Sequence, residues 1–257
     1  MGDISERGFE PMDLGTVATV ALAFLLGGTI KGVTGMGLPT VAVAVMGAAL
    51  GLREAIPILV LPSLMANAWQ AAQPHPIRPL LRRFAVINAA SCVGIWIGTM
   101  VLFRVDPRLL SALLGVVILA YALMSLSAVE FRVSPPQERV FAAPLGLFSG
   151  LLTGSTGSLL LPNIVYLQAL HLGRDTFVQA TGLTLLVGTA LWTAALYNEG
   201  AINGSTLLLS AFALVPTLVG MFAGQALRGR ISEHRFRTGV HVLLLLLAAN
   251  LIRKALA

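Results

Sequence analysis

The sequence predicts an all-α, polytopic membrane protein. It is arranged as an inverted repeat of two halves, each with a broken, re-entrant first helix pair followed by three spanning helices. Three observations point there. Of the 257 residues 56% are apolar and only 11% charged, with a mean hydropathy of +0.86, whereas a soluble domain carries about 25% charged residues. The apolar residues fall into ten runs delimited by charges: 14–30, 38–50, 55–73, 84–103, 109–128, 140–152, 158–170, 176–197, 205–227 and 238–252. Two stretches, Gly27 to Pro39 (GGTIKGVTGMGLP) and Gly146 to Pro162 (GLFSGLLTGSTGSLLLP), place helix breakers and hydroxyls inside apolar sequence and echo one another.

The first run, 14–30, follows an acidic start, MGDISERGFEPMD. A cleaved signal peptide begins with basic residues, so this run is expected to be retained. Gly27, Gly28, Gly32, Gly35, Gly37 and Pro39 then predict a break, because each glycine costs a helix interior about 1 kcal/mol relative to alanine and proline about 3. A new helix is expected near Leu38, with Pro39 in its first turn, where a missing N–H does no harm. Runs 55–73, 84–103, 109–128, 176–197 and 205–227 have the length of full spans, since a helix needs about 20 residues to cross about 30 Å of hydrocarbon. Runs 38–50, 140–152 and 158–170 have 13 residues each and at about 1.5 Å per residue suit half-helices. The echo aligns Gly27 with Gly146, Thr34 with Thr153 and Gly35 with Gly154. It continues through Arg53-Glu54 with Arg174-Asp175 and Trp69 with Trp192.

The loops set the expected topology. Segment 74–83 (PHPIRPLLRR) holds three arginines and no acid, and 228–237 (RGRISEHRFR) four arginines and one acid. Both belong on the cytoplasmic side. The acidic N-terminus and the base-free 198–204 loop belong outside. These placements agree only if 140–170 leaves and returns on one side, which gives each half an odd number of pieces and inverts the halves relative to each other. The expected divisions are a tail 1–13, a first repeat 14–129, a cytoplasmic linker 130–139 around Pro135-Pro136, and a second repeat 140–257. The net charge of +6 lies in short loops, where it orients the chain and meets anionic lipid heads; nucleic acid is not an expected partner. Cys92 is the only cysteine, so no intrachain disulfide or cysteine metal cluster is expected, and no cofactor. Oligomeric state is left open, a homodimer included.

Paired, interrupted apolar segments at corresponding places in two halves point to a transporter's binding site. Half-helix N-termini are expected just after Gly37 and Gly157, each offering unpaired N–H groups and about half a positive charge to an anion. Gly32, Gly35, Gly37 and Gly154 allow close backbone approach. Thr34, Thr153, Ser155, Thr156 and Ser158 offer hydroxyl donors. Lys31 is the only Lys, Arg, Asp or Glu that this segmentation leaves away from a loop between spans, and such a group is by default functional; the alternative is an interface anchor that snorkels to water. Asn67 and Gln70 sit at i and i+3 and share a helix face, for substrate contact or for bonds between helices. His241 is expected to be packed or helix-bonded. A serine without a base is a weak nucleophile, and no histidine or acid accompanies Ser149, Ser155 or Ser158 in the broken segments, so no catalytic residue is assigned.

The two halves, GGTIKGVTGMGLPTVAVAVMGAALGLREAIPILVLPSLMANAWQA and GLFSGLLTGSTGSLLLPNIVYLQALHLGRDTFVQATGLTLLVGTALW, resemble those of the TauE/SafE sulfite exporter family of bacterial membrane transporters. The resemblance implies export of sulfite or small sulfonates, or uptake of related sulfur anions, in a bacterial inner membrane. The site residues are then expected to hold a small anion at mid-membrane. An anion channel built on the same site is the alternative, and single-channel conductance separates the two.

Overall fold

The computed structural model of the chain describes residues 13–72, 76–126, 132–158, 162–227 and 233–256. These form twelve helices and, among the described residues, no strand. The first break falls within the stretch of glycines that ends at Pro39. Helix α1 (Leu14–Thr34) ends at Gly35, which takes φ 85°, and α2 (Leu38–Leu50) begins after Gly37 at φ 95° with Pro39 in its first turn. Both angles are open to glycine at little cost and strained for other residues. Gly27, Gly28 and Gly32 do not break α1, contrary to the sequence expectation. They are helical because neighbouring backbone packs where their side chains would be: Leu38 lies against Gly27, and the Thr217–Gly224 stretch against Gly28 and Gly32. The chain thus folds back along α1 after its break, and α2 is buried through most of its length.

The expected span 55–73 is not one helix. It divides into α3 (Leu52–Ile58) and α4 (Val60–Ala71). Pro62 cannot donate to the Ile58 carbonyl four residues back. Ser210 fills the gap: its hydroxyl donates to Ile58 O at 2.9 Å and accepts from Leu61 N at 3.0 Å. Segment 77–83 contributes a short helix, α5 (Ile77–Arg83), where only a loop was expected; residues 73–75 lie outside the described residues. Spans α6 (Ala85–Arg104) and α7 (Pro107–Leu126) fall as predicted. Arg53 closes the end of α6, its guanidinium donating to the carbonyls of Leu102, Phe103 and Val105, a favourable use of a cation at a helix C-terminus.

The second half departs most from expectation. Its first helix is not a half-helix from 140 but α8 (Pro135–Thr156), 22 residues long. Pro135 and Pro136 start it rather than interrupt the chain, because Ser134 and Gln137 form a capping box ahead of them, and proline is well placed in a first turn. The expected linker therefore loses its C-terminal part to this helix. The helix start expected just after Gly157 falls on residues 159–161, which lie outside the described residues; α9 (Asn163–Ala169) follows Pro162. Then come α10 (Arg174–Asn198), α11 (Gly204–Leu227) and α12 (Glu233–Leu256). The arginines at 228 and 230 lie outside the described residues.

Helices from opposite halves are interleaved: α1 packs along α11, α8 along α6, α4 along α10 and α7 along α12. Small residues make the first two pairs possible. Gly28 and Gly32 face Gly220 and Gly224, while Gly94 and Gly98 face Gly150 and Gly154. In lipid, where apolar burial gives little drive, such close backbone contact supports association. The surface is apolar in stripes of helical period, such as Leu109, Leu113 and Val116 on α7 and Phe212, Val215, Val219 and Phe222 on α11. So much exposed apolar surface is a membrane-facing jacket. Among the described residues, five helices, including α1 rather than the 55–73 run, are long and apolar enough to cross a membrane. Outside the spans, Arg83 makes a bidentate pair with Glu138 at 2.8 and 2.9 Å. The hydrogen bond to Glu138, helped by the carboxylate's charge and opposed by burial, raises the Arg83 guanidinium above its usual range.

Candidate functional site: two helix breaks and a buried ammonium

The breaks after α1 and α8 are built from the same bonds. Gly35 N–H donates to Lys31 O at 2.7 Å and Gly157 N–H to Thr153 O at 2.8 Å, with φ 85° and 75°. The Thr34 hydroxyl donates to Ile30 O and accepts from Met36 N; the Thr156 hydroxyl donates to Leu152 O and accepts from Ser158 N. Equivalent positions are thus 122 residues apart, not the 119 of the sequence echo, since Gly35 stands opposite Gly157. Glycines recurring every three or four residues make both registers match in sequence. The surroundings keep the same spacing. Gln70 and Val178 approach Gly35, while Trp192 and Ile56 approach Gly157. Asn67 and Thr189, also 122 apart, bond to each other at 3.2 Å. Trp69 therefore does not correspond to Trp192: Trp69 is exposed, Trp192 is buried, and Gln70 holds the corresponding place.

Lys31 sits one turn before the first break and is only 2% exposed. Its Nζ donates to Asn67 Oδ1 at 2.9 Å and Gln70 Oε1 at 2.8 Å. Gln70 in turn donates through Nε2 to the carbonyl of Gly35, the residue that closes α1. Both partners of the ammonium are neutral. Among the described residues the one ion pair is Arg83–Glu138, so no carboxylate offsets this charge. An ammonium has three donors, and two are engaged. The i, i+3 spacing of Asn67 and Gln70 does what the helix face allows: it brings both amides to one cation.

Four of the predicted hydroxyls gather at the second break, but the protons of Thr153, Ser155 and Thr156 are already engaged. Ser155 donates to Leu151 O and Leu152 O, Thr156 to Leu152 O, and Thr153 to Ser158 O. Ser158 lies 3.5 Å from Thr40 of α2, which links the two breaks. Gly32 and Gly154 serve helix contact, and Gly37 leads into α2. His241 is buried, its ring 6.2 Å from that of Tyr121 and tilted at 45° to it.

Several polar residues escaped the sequence reading. Ser91, Asn163 and Thr184 are buried, and Ser91 Oγ, Asn163 Oδ1 and Thr184 Oγ1 have no hydrogen-bond partner among the described residues. With Ser149 and Thr153 they line a cavity of about 10 Å³ between α6, α8, α9 and α10. The signal was present as hydroxyls and amides at i, i+3 within apolar runs: Asn88 with Ser91, and Thr181 with Thr184.

Apolar helices with a lipid-facing jacket, one of them ending beside a buried cation, define a multi-pass membrane protein. The family model described as sulfite exporter TauE/SafE matches residues 20–251, and the chain belongs to that family. Neither a curated protein nor a solved structure matches it.

Proposed function

We propose that the protein is a secondary transporter that exports sulfite or small organosulfonates across a bacterial inner membrane, and that the two halves are inverted repeats meeting at their breaks. The observation that carries the reading is the buried Lys31 ammonium held only by neutral amides. A charge at the membrane centre costs about 2.5–3.5 kcal/mol even on the mildest scales, and two amide oxygens do not neutralise it. A small anion does. The third N–H of Lys31, the open backbone after Gly35 and Gly37, and the start of α2, a helix of 13 residues with its N–H groups unpaired there, supply a cation and donors together. Thr34, Gly32 and the second break with Thr153, Gly154, Ser155, Thr156 and Ser158 belong to the same proposed mid-membrane region, with the hydroxyls shaping it. The inverted arrangement is supported by the matched caps 122 residues apart and by the exchange of helix partners between halves. Single-cysteine labelling in a Cys92→Ala background tests it: position 80 should be inaccessible from outside intact cells and position 203 accessible.

The anion site is tested by Lys31→Met, which keeps the apolar stem. Sulfite or sulfoacetate flux into proteoliposomes should vanish while the melting temperature stays near that of the wild type. Full flux in Lys31→Met would show that the ammonium is not what holds the anion. A thermal-shift series with sulfite, sulfate, thiosulfate, taurine, sulfoacetate and acetate then ranks the substrates.

A further inference from the structure

The cavity beside the second break has chemistry opposite to that of the first. Thr153 stands where Lys31 stands, one turn before the closing glycine, so this break has no tethered cation. What it has is oxygen. The polar side chains lining the cavity are four hydroxyls, of Ser91, Ser149, Thr153 and Thr184, and the amide of Asn163. Thr153 has committed its proton to Ser158 O, so it presents lone pairs. Asn163 Oδ1 only accepts. Ser91 and Thr184 present hydroxyls with no partner among the described residues, each at least nine-tenths buried. Buried polar atoms left this way are costly unless something binds them. The cavity, about 10 Å³, has room for one particle the size of a water, which takes about 10–15 Å³ of such space. A sulfur oxyanion with several oxygens does not fit, and two acceptor-only atoms would repel it. No carboxylate lines the cavity, so a divalent ion would lack the charge that calcium sites draw from their ligands.

We propose that this cavity is a binding site for a small monovalent cation, sodium, held by the neutral oxygens of Ser91, Thr153, Asn163 and Thr184. Its place beside a helix interruption is where oxygen dipoles are free to coordinate an ion in a membrane. In the first half, two side-chain oxygens of α4 receive the fixed ammonium of Lys31. At the second break, side-chain oxygens from α6 of the first half and from α9 and α10 of the second converge beside Thr153 on a mobile ion of the same charge. The inference does not depend on the anion reading, because sodium binding is measured with no sulfur anion present.

The test uses the full-length purified protein in detergent, with NaCl exchanged for choline chloride at constant ionic strength. Sodium should raise the melting temperature in a saturable manner, and equilibrium binding of ²²Na⁺ should show one site per chain. Thr184→Val and Asn163→Leu should weaken sodium about tenfold or more, the effect of losing roughly 1.4 kcal/mol of coordination, while melting in choline near the wild type. Should either variant fail to fold, Ser91→Ala removes a ligand oxygen with the least change of volume. Lys31→Met should keep the sodium response in full. Identical melting in sodium and choline, with no ²²Na⁺ bound, would mean that the cavity holds water only and would overturn the proposal. So would a sodium response that survives in all three cavity variants, or one lost in Lys31→Met alone.

Discussion

At Gly35 and at Gly157 the same turn is built from the same bonds, yet the residue four positions earlier is an ammonium in one half and a hydroxyl in the other. The backbone device is held in common: a left-handed glycine closing a helix, a threonine bonding both ways across the turn, and a neighbour from the opposite half covering the glycine. The chemistry is not. Around the first break, Asn67 and Gln70 present oxygens that are satisfied by Lys31. Around the second, the large Trp192 takes the place of Gln70, and the unpartnered oxygens of Ser91, Asn163 and Thr184 come from α6, α9 and α10. The two matched turns therefore differ in charge through one side chain, Lys31 before Gly35 and Thr153 before Gly157.

The largest expected effect tests whether the two scaffolds are equivalent. Gly32 and Gly154 are 122 apart and each faces backbone across a helix pair: Met221 and Gly224 for the first, Ile95 and Thr99 for the second. A side chain at either must push a whole helix aside, since the neighbours are backbone rather than flexible side chains. Overpacking costs about 1–3 kcal/mol and sometimes more. Gly32→Leu and Gly154→Leu should each abolish the monodisperse folded species on size exclusion. Normal folding of one and loss of the other would break the equivalence.

The next effect is on binding and leaves the fold intact. Asn67→Asp places a carboxylate where the amide oxygen now lies 2.9 Å from Lys31 Nζ. The ammonium gains an internal counterion and no longer needs an external one. Anion affinity in the thermal-shift assay should fall at least tenfold, about 1.4 kcal/mol, with the melting temperature of the unliganded protein unchanged or raised. Unchanged affinity would mean that the charge of Lys31 does not hold the anion.

Much of this fold was legible in the sequence. Composition gave the membrane class, and α1, α2, α6, α7, α10 and α11 begin and end within a few residues of their predicted limits, because run length and glycine or proline punctuation decide them. Two of the misreadings share a cause, a tertiary partner that local sequence does not contain, while the third, at Pro135-Pro136, rests on the local capping box of Ser134 and Gln137. Gly28 and Gly32 read as breakers and are helical because α11 packs on them. The 55–73 run reads as one span and is two helices because Ser210, from a helix about 150 positions away, satisfies the backbone that Pro62 leaves open. Pro135-Pro136 reads as a stop and is a start because of the capping box. At the site, Lys31, Asn67 and Gln70 stood out as polar residues among apolar ones. Ser91, Asn163 and Thr184 did not, since single hydroxyls and amides in apolar helices more often bond between helices than form a site, and only their convergence on one cavity distinguishes them.

The smallest expected effect separates the hydroxyls of the second break from the anion. Ser155 reads from sequence as a donor to an oxyanion, yet its hydroxyl donates to Leu151 O at 2.8 Å within its own helix. Back-bonding of this kind engages the only proton the side chain has and adds little or slightly negative stability to the helix. The residue at the equivalent place in the first half, 122 earlier, is Val33, which has no proton to give. Ser155→Val therefore makes the second break resemble the first at one position and removes a bond already spent inside α8. Substitutions of this kind that neither open a cavity nor strand a buried partner stay within about 0.5 kcal/mol, and the Leu151 carbonyl keeps its place in the helix ladder. Anion affinity and flux should both remain within about twofold of wild type, which corresponds to roughly 0.4 kcal/mol. A loss of tenfold or more, with the melting temperature unmoved, would show that Ser155 turns its proton to the anion when one binds, and the two breaks would then share the anion instead of dividing two ions between them.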